Sequence, residues 1–293
     1  MSTSIYKTKQ GEKIVKDLYD KQVKSIGIEY EDLYVDTRFG KTHVIKTGKP
    51  NGKPLLFFHG GNSTAPYSLK QNIYLMKNYQ VFAPDIMGHP GKSDQTVLSP
   101  NTLEYGEWAS DVITSLGFEQ IICMGGSFGG GVLAKLMCVS PEKISKAILV
   151  VPSGLCNAST IKIILSMGIP MVAYILTKKE KWLEKAIVPM AIHKEYIDKD
   201  TLDMVRTTFK YAKVKAGMPS NIKISDIKNY KAPTLLFAGE KDILFPGEKV
   251  IERAKKIIPN LEAHLLKNCG HMYFFSEESS QYVSSKIIDF LSD

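Results

Sequence analysis

Residues 121–131 constrain this chain more than any other stretch: Ile121, Ile122, Cys123 and Met124 run directly into Gly125-Gly126-Ser127-Phe128-Gly129-Gly130-Gly131. The apolar run is too short for a helix and suits a buried strand, whereas residues 128–139 have helical apolar spacing. Strand must therefore turn into helix within about two residues. Glycine on either side of Ser127 permits that turn, because a Cβ at position 125 or 129 would clash as the serine side chain is pushed out above the sheet. Ser127 then stands at a helix N-terminus, whose unpaired N–H groups favour negative charge. A glycine-rich turn that only joins two elements would look the same locally, so the rest of the chain must decide.

That turn sits within an alternation of short apolar runs and helix-length segments. The runs are 55–58, 81–83, 121–124, 147–151, 234–238 and a weaker one at 263–266. They lack polar alternation, as expected of parallel strands covered on both faces. Helices are predicted over 67–77, 103–116, 128–139, 247–258 and 281–291. Earlier, residues 12–25 read as an amphipathic helix. Leu33, Val35 and 43–45, separated by Arg38-Phe39-Gly40, read as an antiparallel hairpin. The alternation breaks between Gly154 and Ile227, where no strand is predicted and the sequence is helix-like. The division expected is a core over 1–154 and 228–293 with a helical cap, or lid, over 155–227.

Within the cap, 161–176 is strongly apolar, but it is shorter than a bilayer span, contains Lys162 and is broken by Gly168-Ile169-Pro170. A lid over a pocket is the reading, with a membrane-facing lid surface as the alternative and no stable membrane insertion. The N-terminus has no apolar run with a small-residue cleavage site, and the four cysteines have no metal-ligand spacing. Reduced thiols and a cytoplasmic location are expected. The net charge of +8 comes almost wholly from dispersed lysines, not from a basic stripe with aromatics, so no nucleic-acid partner is expected. Ligand clusters and phosphate-binding glycine patterns are absent, so no metal or cofactor is expected.

His59-Gly60-Gly61, the serine motif and the late Gly270-His271 together resemble the α/β-hydrolase superfamily, from about Glu31 to the C-terminus. The resemblance implies an α/β-hydrolase fold, a mostly parallel sheet of about eight strands flanked by helices. It also implies a catalytic triad in the order serine, acid, histidine. Ser127 is then the nucleophile and His271 the general base. Asp242 follows the 234–238 strand and is the acid, with Glu240 as its competitor. The oxyanion hole falls to the N–H groups of Phe128 and Gly61, with Asn62 as the alternative to Gly61. His59 is expected to brace its loop. Asp85-Ile86-Met87-Gly88-His89-Pro90-Gly91-Lys92-Ser93 is similar to the family's D-x-x-G-x-G-x-S turn with one residue inserted, and it is assigned to loop structure.

A serine at the elbow argues for acyl transfer to water and against the dehalogenases and epoxide hydrolases of this fold, which carry aspartate there. The expected activity is hydrolysis of a small carboxylic ester through an acyl-enzyme. A proline iminopeptidase is the first alternative, although His59-Gly60-Gly61-Asn62 lacks the proline of H-G-G-P and Phe128 replaces tryptophan. C–C hydrolases, lactonases and a ligand-sensing receptor on the same fold stay open. The partner expected is a small acyl substrate, and the state a monomer or homodimer.

Overall fold

The computed structural model describes residues 4–213 and 217–292. Its centre is an eight-stranded sheet in the order β1-β2-β4-β3-β5-β6-β7-β8. Strands β1 (Tyr30–Thr37) and β2 (Gly40–Gly48) form the antiparallel hairpin, and β2 also runs antiparallel to β4 (Tyr79–Pro84). The others, β3 (Lys53–Phe58), β5 (Ile121–Gly126), β6 (Ile144–Val150), β7 (Thr234–Gly239) and β8 (Leu261–Leu266), pair in parallel. This is the α/β-hydrolase fold.

Each central strand is apolar on both faces. Leu56, Phe58, Ile121 and Cys123 pack into one core with α4 (Glu104–Ser115), α5 (Phe128–Val139) and α10 (Gly247–Ile257). Their neighbours Leu55, Phe57, Ile122 and Met124 pack into a second core with α1 (Lys9–Ile26) and α11 (Glu277–Ser292). Burial on both sides removes the polar alternation that a half-exposed strand would show.

The helix predicted over 67–77 is interrupted. α2 (Ala65–Lys70) stops and α3 (Ile73–Met76) restarts around Gln71 and Asn72. Asn72 donates from its side chain to the Ser68 carbonyl at 2.9 Å and from its backbone to Leu69 at 2.9 Å. These local bonds compete with the helical ladder, as short amide side chains do. Between β6 and β7 the chain forms α6 (Thr160–Ile163), a π turn (Ile164–Gly168), α7 (Ile169–Thr177), α8 (Glu180–Ala191) and α9 (Lys199–Tyr211).

Asp85, directly after β4, ties α1 and the hairpin to the sheet. Its carboxylate accepts from Tyr19 Oη (3.0 Å), Lys92 N–H (2.8 Å) and His43 Nδ1 (2.8 Å), while His43 Nε2 lies 2.6 Å from Asp32. Burial works against protonating His43, but the hydrogen bonds and charges of Asp85 and Asp32 outweigh it and hold the imidazole above its ordinary value. The stabilisation from the imidazolium is therefore complete below pH 6.5, the unfolded value, and is lost as pH rises through the raised native value. Thermal melts from about pH 6 to 9 should show a falling midpoint for the wild type and a flatter curve for His43→Gln. That variant should also be about 3 kcal/mol less stable at pH 6, because Asp85 loses its buried partner.

Candidate active site

The parallel strands all end at one edge of the sheet, where open α/β sheets bind ligands. Ser127 lies between β5 and α5, Asp242 between β7 and α10, and His271 between β8 and α11. Ser127 adopts φ 52° and ψ −117°, a conformation that a non-glycine residue holds only when its surroundings enforce it. Here its N–H donates to Val150 (3.0 Å), and its carbonyl accepts from Ser153 N–H (3.0 Å) and Oγ (3.1 Å). The glycines permit the turn. A Cβ on Gly125 would overlap the Gly129 carbonyl, and a Cβ on Gly129 would overlap that of Phe58.

Ser127 Oγ is 2.9 Å from His271 Nε2, and His271 Nδ1 is 2.8 Å from Asp242 Oδ2. The other Asp242 oxygen accepts from the N–H groups of Leu244 (2.8 Å) and Phe245 (3.1 Å), so the buried carboxylate is fully engaged. The loops bearing the two residues are joined by Glu240 N–H to Leu266 and Lys241 N–H to Cys269, at 3.0 and 2.9 Å. Phe245 packs edge-on against the His271 ring at 5.3 Å. A hydroxyl, an imidazole and a carboxylate in this chain can pass a proton from oxygen to nitrogen and stabilise the resulting cation. Glu240, the competing carboxylate, binds Lys267 (2.9 Å) and Asn268 N–H (2.8 Å) instead.

Phe128 is the first residue of α5, so its N–H has no intrahelical acceptor. Gly61 packs against it: a Cβ on Gly61 would come within 3.1 Å of Phe128 Cβ. His59 holds the Gly61 loop by donating from Nδ1 to the Gly60 carbonyl (2.8 Å) and accepting the Ile86 N–H at Nε2 (3.0 Å). His89 is buried against the Phe128 ring, 4.3 Å between centroids, and burial pushes its pKa down to about 3. It is a neutral packing group at ordinary pH.

Ser127 and His271 open into a cavity of about 310 Å³, at the small end of ligand pockets. Ile163, Met167 and Met171 line it, as do Met190, Met204 and Phe209 from α8 and α9. Of the apolar stretch 161–176, Ile163, Met167 and Met171 face the cavity while Ile164, Leu165, Val172 and Ile175 are exposed; Met190, Met204 and Phe209 read in the sequence as ordinary apolar positions of amphipathic helices. Beside Asn62, already named as an alternative oxyanion donor, Ser63, Ser68, Gln71 and Asn72 form a polar wall that sequence reasoning missed. Apart from His89 and His271, no ionisable side chain except that of Tyr67 or Tyr273 lines the cavity among the described residues. Burial pushes both phenols well up, so they are neutral.

A family model described as alpha/beta hydrolase fold matches residues 53–172. Carboxylesterase YbfK of Bacillus subtilis (strain 168) is 26% identical over 276 residues, covering 93% of this chain and 92% of the relative. The crystal structure of naproxen esterase (carboxylesterase NP) from Bacillus subtilis superimposes with a TM-score of 0.80 at 22% identity, covering 94% of this chain and 96% of that one. That of carboxylesterase CesB (YbfK) from the same species also gives 0.80, at 23% identity and with 96% and 98% covered. The sheet order, the elbow turn and these similarities agree on one architecture, the α/β-hydrolase fold.

Proposed function

We propose that this chain is a serine carboxylesterase that cleaves small, neutral carboxylic esters through an acyl-enzyme. The observation that carries this reading is the unbroken chain from Ser127 Oγ to His271 to Asp242, at 2.9 and 2.8 Å, opening into an apolar cavity. The relatives named carboxylesterases support it.

Ser127 Oγ attacks the ester carbonyl while His271 Nε2 takes its proton, and Asp242 holds the imidazole with Nδ1–H toward itself. Negative charge develops on the carbonyl oxygen and is met by the N–H groups of Phe128 and Gly61, each such donor being worth about 3 kcal/mol of barrier. Protonated His271 then gives its proton to the departing alcohol, leaving an ester on Ser127. Water, deprotonated by His271, attacks that ester and releases the acid. Residues 155–227 act as the cap over this reaction. The four free thiols support a reducing, cytoplasmic location, and a monomer or homodimer belongs to the same proposal.

Among the described residues no charged side chain lines the cavity, which bears on the alternatives. An iminopeptidase substrate brings a free ammonium, and a charged acyl group a carboxylate, and neither finds a counter-ion among those residues. A p-nitrophenyl butyrate assay should show many turnovers per chain. The hemisuccinate ester should be worse by about 10²-fold in kcat/KM. A single stoichiometric burst would favour the receptor reading, and preference for the charged ester would overturn the neutral-substrate assignment.

A further inference from the structure

Residues 160–177 form one helical run through α6, the π turn and α7, and both sides of it are apolar. On one side Ile163, Met167 and Met171 reach the cavity, and Tyr174 is buried with Leu183 and Ile187 of α8. On the other side Ile161, Ile164, Leu165, Ile169, Val172, Ile175 and Leu176 are exposed, with Ile161, Leu165 and Leu176 at 69%, 62% and 78%. Their spacing of three and four residues makes a single stripe along the helix. Scattered exposed apolar residues are ordinary on a protein surface, but a continuous row of seven is not, and such patches mark contact surfaces.

The charge around the stripe identifies what fits it. Lys162 stands at its start and Lys178 and Lys179 at its end, all exposed, and Lys181 and Lys185 follow on α8. The last two place Nζ 5.6 and 5.2 Å from the ring centroid of the half-buried Trp182. None of these five lysines forms an ion pair among the described residues. The two nearby carboxylates are already taken, Glu180 by Arg206 at 2.8 Å and Glu184 by Lys194 at 2.7 Å.

We propose that this stripe and its lysine rim are a docking surface for an anionic lipid bilayer. Aliphatic side chains entering the acyl boundary, lysines at headgroup level and a half-buried tryptophan among those lysines make the pattern of a helix lying in a membrane interface. Electrostatic attraction between the lysines and anionic headgroups adds to the apolar term. A second copy of the chain fits less well, because a two-fold contact would set the lysine rim against itself in a protein of net charge +8. Docking is peripheral: among the described residues no helix is long and apolar enough to cross a membrane. Because the opposite side of the same helix lines the cavity, a docked molecule holds its pocket next to the lipid. The proposal does not depend on the ester reading.

Sedimentation of the full chain with phosphatidylcholine vesicles, and with vesicles containing one-third phosphatidylglycerol, tests this. The triple variant Leu165→Gln, Ile169→Gln, Leu176→Gln changes residues outside the cavity lining, so its circular dichroism and its turnover of a soluble ester check that it is folded. The wild type should bind phosphatidylglycerol vesicles, the triple variant roughly a hundredfold more weakly. Lys178→Gln, Lys179→Gln, Lys181→Gln and Lys185→Gln together should abolish the preference for anionic lipid. No vesicle binding, or equal binding by the triple variant, would overturn the proposal. So would a wild-type dimer in sedimentation velocity that the triple variant dissociates, since the stripe would then belong to a second copy.

Discussion

Ser127→Ala should remove the single fluorophosphonate adduct seen by intact mass and lower kcat/KM for p-nitrophenyl butyrate by about four orders of magnitude or more. On the proposed mechanism no acyl-enzyme can form without Oγ, and what would remain is the proposed oxyanion site acting on direct attack by water. The fold should survive, because alanine keeps the Cβ and meets the same φ of 52°. The bonds that fix this turn, from Ser127 N–H to the Val150 carbonyl and from Ser153 N–H and Oγ to the Ser127 carbonyl, do not involve the Ser127 hydroxyl. An unchanged thermal midpoint with lost labelling is the expected pair of results. Labelling that persists in the variant would place the nucleophile elsewhere and end the assignment.

How much could be read from the chain alone depended on whether a feature was set locally. The turn at Ser127 was legible because its glycines are required by carbonyls that approach within the same motif and from β3, and a turn this tight has few sequence solutions. The parallel strands were legible because double burial leaves short apolar runs. The break at Gln71 and Asn72 was not legible, since it rests on a side-chain bond from Asn72 to Ser68 that a helical apolar spacing cannot reveal. Nor was the part played by Asp85. Its motif marked a loop, but its partners Tyr19 and His43 come from elements 66 and 42 residues away. For residues 160–177 periodicity was silent on orientation, because a helix apolar all round gives no sign of which side meets the body.

Asp242→Asn should cost about 10³- to 10⁴-fold in kcat with little change in KM, while Glu240→Gln should stay within about twofold of the wild type. The reason lies in what surrounds each oxygen. Asp242 Oδ1 accepts two backbone N–H groups, from Leu244 and Phe245, so the single oxygen of a replacing amide is drawn to that side. The amide NH₂ then faces His271 Nδ1 and donates to it. The proton moves to Nε2, the nitrogen 2.9 Å from Ser127 Oγ, which can no longer accept the serine proton. Size and burial are preserved, so the loss should appear in kcat and not in the thermal midpoint. Glu240 bonds outward to Lys267 and Asn268 and touches neither His271 nor Ser127. Measuring kcat and KM for both variants separates the two carboxylates: a large loss at Glu240 with a small one at Asp242 would exchange their roles and break the proton path drawn through His271.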